Sequence, residues 1–278
     1  MSKGPRPTLT RTHPVRPLGD RRPCGDHGGM TDFALSFDAV AAQYAAARPG
    51  YPPQLFSTLE DLAGVPLHGR RVLDVGAGTG IATRLLHDRG ARVVAVEPGP
   101  GMGAQLRSSL PRVPLVRAAG EALPFAAGAA DLVTYAQSWH WTDPARSIPE
   151  ALRVLRPGGA LALWWNVPDS PWSAEQEQRL AARVPGHHGF GVAVDTESLL
   201  AEFAPAAARA HRRIEWTRWV PIDAHLAHLG SRSYFAALGP ERAAPLLAEE
   251  RAELLARFPD GELEEHYTVE LTVALNPA

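Results

Sequence analysis

Three glycines and two acids carry the first readable chemistry in this chain. The segment Val72-Leu73-Asp74-Val75-Gly76-Ala77-Gly78-Thr79-Gly80 is an apolar, β-branched run that ends in a glycine-rich turn. Glu97 follows 23 residues after Asp74, at the end of a second apolar run. Glycine has no Cβ, so such a turn bends sharply and lets a ligand approach the backbone where the next helix begins. An acid at the end of the following strand can accept hydrogen bonds from both hydroxyls of a ribose. Two nucleotide cofactors match this outline. A dinucleotide site asks for G-x-G-x-x-G/A, and counted from Gly76 its third small residue falls on Ile81. The spacing here is G-x-G-x-G, with Asp74 two residues ahead of the first glycine. That acid would repel a pyrophosphate and attract the amino group of a methionine. The spacing therefore predicts S-adenosyl-L-methionine, with an NAD-dependent oxidoreductase as the rival class.

A second group of chemical residues lies further on. Gln137-Ser138-Trp139-His140-Trp141 follows a strand-like run, and Trp164, Trp165, Asn166 and Trp172 come soon after. Aromatic faces suit an organic substrate, and a desolvated cation beside them gains about 2 kcal/mol. Trp139, Trp141 and Trp165 are therefore expected to line a substrate pocket. Imidazole takes a proton near neutral pH, which makes His140 the candidate general base. The pair His187-His188 sits among glycines with no cysteine nearby, so it reads as loop, and no metal is expected.

The elements that must position these residues follow from periodicity. Strands are predicted at Arg71–Val75, Arg92–Glu97, Leu115–Ala118, Asp131–Ala136 and Ala160–Trp165, separated by helical stretches near 80–89, 101–109 and 147–155. Strand and helix in alternation indicate βαβ units and a parallel sheet. Ser147-Ile148-Pro149-Glu150 reads as a capping box opening the last of these helices. Beyond it, helices are expected near 173–183, 195–203, 222–229 and 240–257. Strands near 211–220 and 266–275 read as a hairpin-like antiparallel pair at the sheet edge. Ahead of the glycine loop, helical spacing runs through Phe37, Val40 and Tyr44 and must stop before Pro49.

Taken together, these segments resemble the class I S-adenosylmethionine-dependent methyltransferases, specifically the type 11 branch that includes ubiquinone-biosynthesis and trans-aconitate methyltransferase-like enzymes. Val72–Gly80 is similar to the family's first motif and Val94–Pro98 to its ribose segment. Glu121-Ala122-Leu123-Pro124-Phe125 is similar to its adenine loop, Asp131–Trp141 to its fourth motif, and Arg153–Gly159 to the turn before strand five. The resemblance implies a Rossmann-like α/β fold: a seven-stranded, mostly parallel sheet in the order 3-2-1-4-5-7-6, with an antiparallel last strand. It implies that Gly76, Ala77, Gly78, Thr79, Gly80 and Gln137 surround the cofactor and that Pro98 and Met102 flank its adenine. Many relatives read the adenine amino group with an aspartate where this chain has Ala119, so backbone groups at Ala119 and Gly120, with Glu121, are left to hold the base. It also implies a first helix folding over the cofactor mouth, with Tyr44 near the sulfonium and Arg48 paired to a carboxylate of the methionine or the substrate. Ser231-Arg232-Ser233-Tyr234 is similar to a family segment on the acceptor side.

Composition narrows the partners. The chain has 278 residues, 28 basic and 30 acidic, for a net charge of −2, without the basic excess of a nucleic-acid binder. A small-molecule acceptor is expected, and RNA or protein acceptors, or a cofactor-binding protein without turnover, are the alternatives. One cysteine excludes an intrachain disulfide, and no apolar run reaches about 18 residues, so a cytoplasmic protein with no membrane partner is expected. Residues 1–30 are rich in proline, glycine and arginine without periodicity and are expected to be disordered, with Met30 an alternative start. Arg21-Arg22 lacks the apolar segment of an export signal. The expected division is 31–166 for the cofactor-binding core and 167–278 for the part that completes the sheet and the acceptor pocket.

Overall fold

Leu55, Phe56 and Leu59 are fully buried along one side of α1 (Pro53–Ala63), which begins at a proline and ends at Gly64 in the left-handed region. The structure, a computed structural model, describes residues 48–185, 187 and 195–277. The 1–30 segment, Tyr44 and His188 lie outside the described residues. After α1 come β1 (Arg71–Val75), α2 (Ile81–Asp88), β2 (Arg92–Val96), α3 (Pro100–Ser109) and β3 (Leu115–Val116). The alternation continues with β4 (Ala130–Ala136), one 3-10 turn at Trp139–Trp141, α4 (Pro144–Val154) and β5 (Leu155–Pro168). The last third holds α5 (Ser173–Arg183), α6 (Thr196–Phe203), β6 (Ala208–Pro221), α7 (Ile222–Gly230), α8 (Ser233–Leu238), α9 (Pro240–Arg257) and β7 (Glu262–Leu275).

The strands form a seven-stranded sheet in the order β3-β2-β1-β4-β5-β7-β6. β1 through β5 pair in parallel, while β7 runs antiparallel to both β5 and β6. Fold class and strand order thus match what the resemblance implied. The last two strands are antiparallel neighbours, as their alternation suggested, but they are not a terminal hairpin. Three helices separate them, and β7 inserts between β5 and β6. Its near-continuous burial reflects that interior place, whereas β6 is largely exposed at the edge. Pairing between β4 and β5 jumps from Leu155 to Ala160, so Arg156–Gly159 is an irregularity inside β5, where a turn ahead of the strand was expected.

Side-chain alternation divides the core between the two faces of the sheet. Val72, Val93, Leu132, Ala162 and Trp164 pack beneath α1 and α2, while Leu73, Val133, Leu161 and Leu163 pack against α4 and α6. A third cluster joins α5, α7, α8 and α9 to Val220 and Leu263. At the amino ends of the strands, Asp131 holds β1 and β5 to β4. It accepts the Arg71 backbone N–H at 2.9 Å and ion-pairs with Arg71 at 3.2 Å and Arg156 at 2.7 Å.

The capping box does not form. α4 starts one turn earlier, because Pro144 suits a first helical position and the Asp143 carboxylate accepts the Ala145 N–H at 3.0 Å. Ser147 is instead buried inside the helix, and Glu150 accepts the Leu123 N–H at 2.7 Å. Among the described residues no helix is long and apolar enough to cross a membrane.

Candidate cofactor and acceptor site

The glycine loop leaves β1 at the carboxyl edge of the sheet and enters α2 through three glycines of positive φ, 68° at Gly76, 57° at Gly78 and 92° at Gly80. Only glycine takes these conformations without strain. Gly76 also has no room for a side chain, since a Cβ there would overlap Ser138 Cβ and lie 2.8 Å from its Oγ. Gly78 differs: a Cβ there would meet nothing within 4 Å. Its neighbour Thr79 is buried, and its hydroxyl has no hydrogen-bond partner among the described residues.

Glu97 stands just past β2, and its two oxygens accept the backbone N–H groups of Gly78 and Gly99, each at 2.8 Å. A carboxylate oxygen accepts more than one hydrogen bond, so an acid held in this way is of the type that can also take ribose hydroxyls. The open face at Gly78, the buried Thr79 hydroxyl and the oriented Glu97 fit an adenosyl ligand. Pro98 and Met102 follow directly, with Pro98 half-buried and Met102 buried at the start of α3. Ala119 is exposed and Gly120 buried, where the Gly120 carbonyl accepts the Tyr135 hydroxyl at 3.4 Å. Glu121 is committed to the backbone, accepting the Asp143 N–H at 2.8 Å.

Asp74 is placed differently from the expectation. Its carboxylate is fully buried and accepts the hydroxyls of Thr83 at 2.5 Å and Thr134 at 2.9 Å. Burial pushes its pKa up to about 6 against those two hydrogen bonds. The side chain ties β1 to α2 and β4 and does not open on the loop. Its position within the strand explains this, because Asp74 precedes the turn and faces the interior between neighbouring elements.

Past β4, Gln137 adopts φ 55°, the one positive φ at a non-glycine among the described residues. Such strain marks sites held in place by their surroundings. Its backbone N–H donates to the Trp164 carbonyl at 2.9 Å, and its amide donates to the Tyr51 hydroxyl at 3.3 Å. His140 sits in the 3-10 turn with its ring 4.6 Å from that of Trp141, and the Trp165 indole N–H donates to His140 Nδ1 at 3.3 Å.

The tryptophans do not form one pocket. Trp164 and Trp165 are adjacent on a strand and face opposite ways. Trp164 is core beneath α1, edge-on to Tyr51 and Phe56. Trp139 is 1% exposed, its indole N–H donating to Ser147 Oγ at 3.0 Å, so it supports the site from inside and does not line it. Trp172 belongs to the C-terminal cluster, whereas Trp141 and Trp165 are half-buried beside His140.

A methyltransferase domain family matches residues 73–163. Proteins named as uncharacterized methyltransferases of Mycobacterium tuberculosis and Mycobacterium bovis are each 39% identical over 203 residues, 73% of this chain and 79% of theirs. The chain belongs to the class I methyltransferases, in the type 11 branch. Among solved structures, one described as a type II methyltransferase from Anaeromyxobacter dehalogenans aligns with TM-score 0.60 and 28% identity, over 83% of this chain and 98% of that one. A phosphoethanolamine N-methyltransferase of Haemonchus contortus, in complex with S-adenosyl-L-methionine, shares the fold at TM-score 0.52 and 18% identity, over 87% of this chain and 57% of that one.

In this methyltransferase the loop 48–51 crosses from the sheet to the C-terminal helices. The Arg48 guanidinium donates to Ser231 Oγ at 3.2 Å, and the Gly50 carbonyl accepts from Asn166 at 3.3 Å. Asn166, Tyr51 and Ser138 shape the site through partners that the sequence did not assign: Asn166 donates to the Gly50 carbonyl, Tyr51 accepts from Gln137, and Ser138 donates to the Val75 carbonyl at 2.6 Å. In the Ser231-Arg232-Ser233-Tyr234 segment, Arg232 is buried and ion-paired with Glu177 at 2.6 Å, and its guanidinium also donates to the Tyr234 hydroxyl at 2.8 Å. Burial, with Arg48 and Arg232 nearby, holds His228 well below the usual imidazole pKa. His187 pairs with Glu177 at 2.9 Å. A cleft of about 280 Å³ lined by Trp172, Arg179, Glu253 and Arg257 shares no residue with the glycine loop.

Proposed function

We propose that this chain transfers a methyl group from S-adenosyl-L-methionine to a small-molecule acceptor at the carboxyl edge of the sheet. The observation that carries this reading is the pairing of Glu97 with the Gly78 N–H, beside a loop face that is open and a threonine hydroxyl that lacks a partner among the described residues. The bound cofactor supplies an electrophilic methyl group on a sulfonium. Glu97 holds the ribose, and the backbone of Gly76, Ala77, Gly78, Thr79 and Gly80 receives the methionine end. Pro98 and Met102 border the adenine, with the backbone of Ala119 and Gly120 beside it, while Glu121 stabilises that loop through Asp143. Gln137 holds the floor between the cofactor and acceptor sides. Arg48 and Tyr44 contribute from the segment ahead of α1, and His140, Trp141 and Trp165 meet the acceptor.

Orientation supplies most of the rate in such a displacement, since a sulfonium leaves readily once the acceptor is aligned behind the methyl carbon. The net charge of −2 favours a small acceptor over RNA. Incubating the full chain with methyl-labelled cofactor and fractionated host metabolites tests the reading: label should move to a low-mass product. Label confined to RNA or protein would overturn the small-molecule assignment. Failure of the wild-type chain to bind S-adenosylhomocysteine in calorimetry would overturn the cofactor assignment.

A further inference from the structure

β6 is the last strand of the sheet. It pairs with β7 from Ala208 to Pro221 on one side, and no strand among the described residues pairs with its other side. Such an edge offers a row of backbone donors and acceptors to any chain that can lie along it, and charges commonly guard it. β6 carries Arg209, Arg212, Arg213 and Arg218, yet their spacing suits one partner, a second copy of the same strand. Alternate residues from Arg209 to Trp219 share one face, on which Trp219 is 67% exposed, the exposed large apolar side chain among the described residues.

Two copies of one edge that meet antiparallel are related by a two-fold axis, so residue i opposes j and j opposes i, on the same face. The register is then set by the residue on the axis. With Arg213 there, Arg213 opposes its own copy. With Glu215 there, Glu215 opposes its own copy and Arg212 opposes Arg218. Like charges directly opposite destabilise a sheet. With Ile214 on the axis, Arg213 opposes Glu215, Arg212 opposes Trp216, Arg209 opposes Trp219 and Arg218 opposes Ala210. Every arginine of the strand then meets an acid, an indole or a small side chain. Arg213 already pairs with Glu270 of β7 at 3.1 Å, so in the joined sheet it would lie between two acids, Glu270 and the Glu215 of the other copy.

We propose that β6 is a homodimer interface: a second copy of this chain adds antiparallel along it, about a two-fold axis at Ile214, and joins the two seven-stranded sheets. The backbone ladder supplies attraction, and the Arg213–Glu215 pairs on either side of the axis fix the register. Trp219 gives up its exposed ring against the Arg209 of the other copy, whose guanidinium is held at 3.0 Å by Glu197 of α6. β7, β5 and β4 lie between β6 and β1, so the interface leaves the glycine loop uncovered. The proposal is independent of the methyl-transfer reading.

Sedimentation equilibrium of the full chain tests it. The wild type should associate to twice the mass of one chain. Glu215→Arg sets arginine against arginine at both symmetric positions and should raise the dimer dissociation constant at least about tenfold. Arg213→Glu should do the same, and the two reversals together should restore the dimer, because opposite charges face each other again. Glu215 is exposed and forms no ion pair among the described residues, so its reversal leaves the fold intact. Should the Arg213 variants not fold, the Glu215 series decides: Glu215→Gln should weaken the dimer less than Glu215→Arg. A wild-type chain that stays monomeric at its highest soluble concentration would overturn the proposal, whether the edge stays open or the chain's own residues 1–47 cover it. A dimer indifferent to Glu215→Arg, or one that the double reversal fails to restore in a folded protein, would overturn it too. Calorimetry with S-adenosylhomocysteine, run on the wild type, reports separately on the cofactor reading.

Discussion

Glu97 accepts the backbone N–H of Gly78 at 2.8 Å, which makes the acid after β2 and the glycine loop after β1 one unit. Two parallel strands deliver the two groups side by side, in register from Arg71 opposite Arg92 to Val75 opposite Val96. The acid thus orients the loop before any ligand arrives.

Removing that acid should weaken cofactor binding. Hydrogen bonds to a charged group contribute about 1.5–3 kcal/mol, so Glu97→Ala should raise the dissociation constant for S-adenosylhomocysteine by roughly one to two orders of magnitude. Glu97→Gln keeps one accepting oxygen and should fall between. Calorimetry reads both, and an unchanged affinity in a folded Glu97→Ala protein would remove Glu97 from the ribose site.

Gly76→Ala introduces two faults, a left-handed backbone at φ 68° and an overlap with Ser138. Together they should cost about 2–4 kcal/mol in denaturant unfolding. Ser138→Gly in the same chain removes the overlap but not the backbone strain, so it should recover about half of the loss. No recovery would show that Ser138 is not what Gly76 must avoid.

Asp74 gives a pH dependence with a definite sign. Its folded-state pKa, about 6, lies above the ordinary 3.8, so the folded protein holds this proton more tightly than the unfolded chain. Its contribution to stability is complete below about pH 4 and lost as pH rises through 6, where the ionised form costs roughly 3 kcal/mol. Asp74→Asn should therefore be more stable than wild type at pH 7.5, and the two should converge near pH 4. Thermal midpoints at the two values check this; a less stable Asn variant at pH 7.5 would reverse the assignment.

Asp131 has the opposite sign. Burial alone would raise its pKa, but hydrogen bonds from Arg71 and Arg156 hold it well below the usual carboxylate range. Its stabilisation is present at neutral pH and is lost as pH falls below that range. Asp131→Asn should destabilise the protein by about 2 kcal/mol at pH 7, with the gap to wild type closing as acid protonates the native carboxylate. A gap that stays constant into strong acid would show that the charge at Asp131 is not what matters.

The sequence alone determined the architecture and the cofactor class. Apolar runs of strand length, separated by helical periods, are local properties, so β1 and α5 appear with the bounds that periodicity predicts. The glycine spacing and Glu97 are also local, because a turn that needs positive φ selects its residue type whatever packs around it. The C-terminal strands were legible as antiparallel, yet only pairing with both β5 and β6 buries β7. Asp74 looked like a ligand contact because its position in the chain is right. Tertiary packing, with Thr83 and Thr134 across from it, turned the carboxylate inward. Trp139, Trp141 and Trp165 looked like one pocket lining, and packing buried Trp139 against Ser147 while leaving Trp141 and Trp165 beside His140. His140 looked like a base from its side chain alone, and the fold sets the Trp165 indole N–H against its Nδ1 from 25 residues away. Local sequence sets which residues reach the carboxyl edge; only the fold decides which of their lone pairs and protons remain available there.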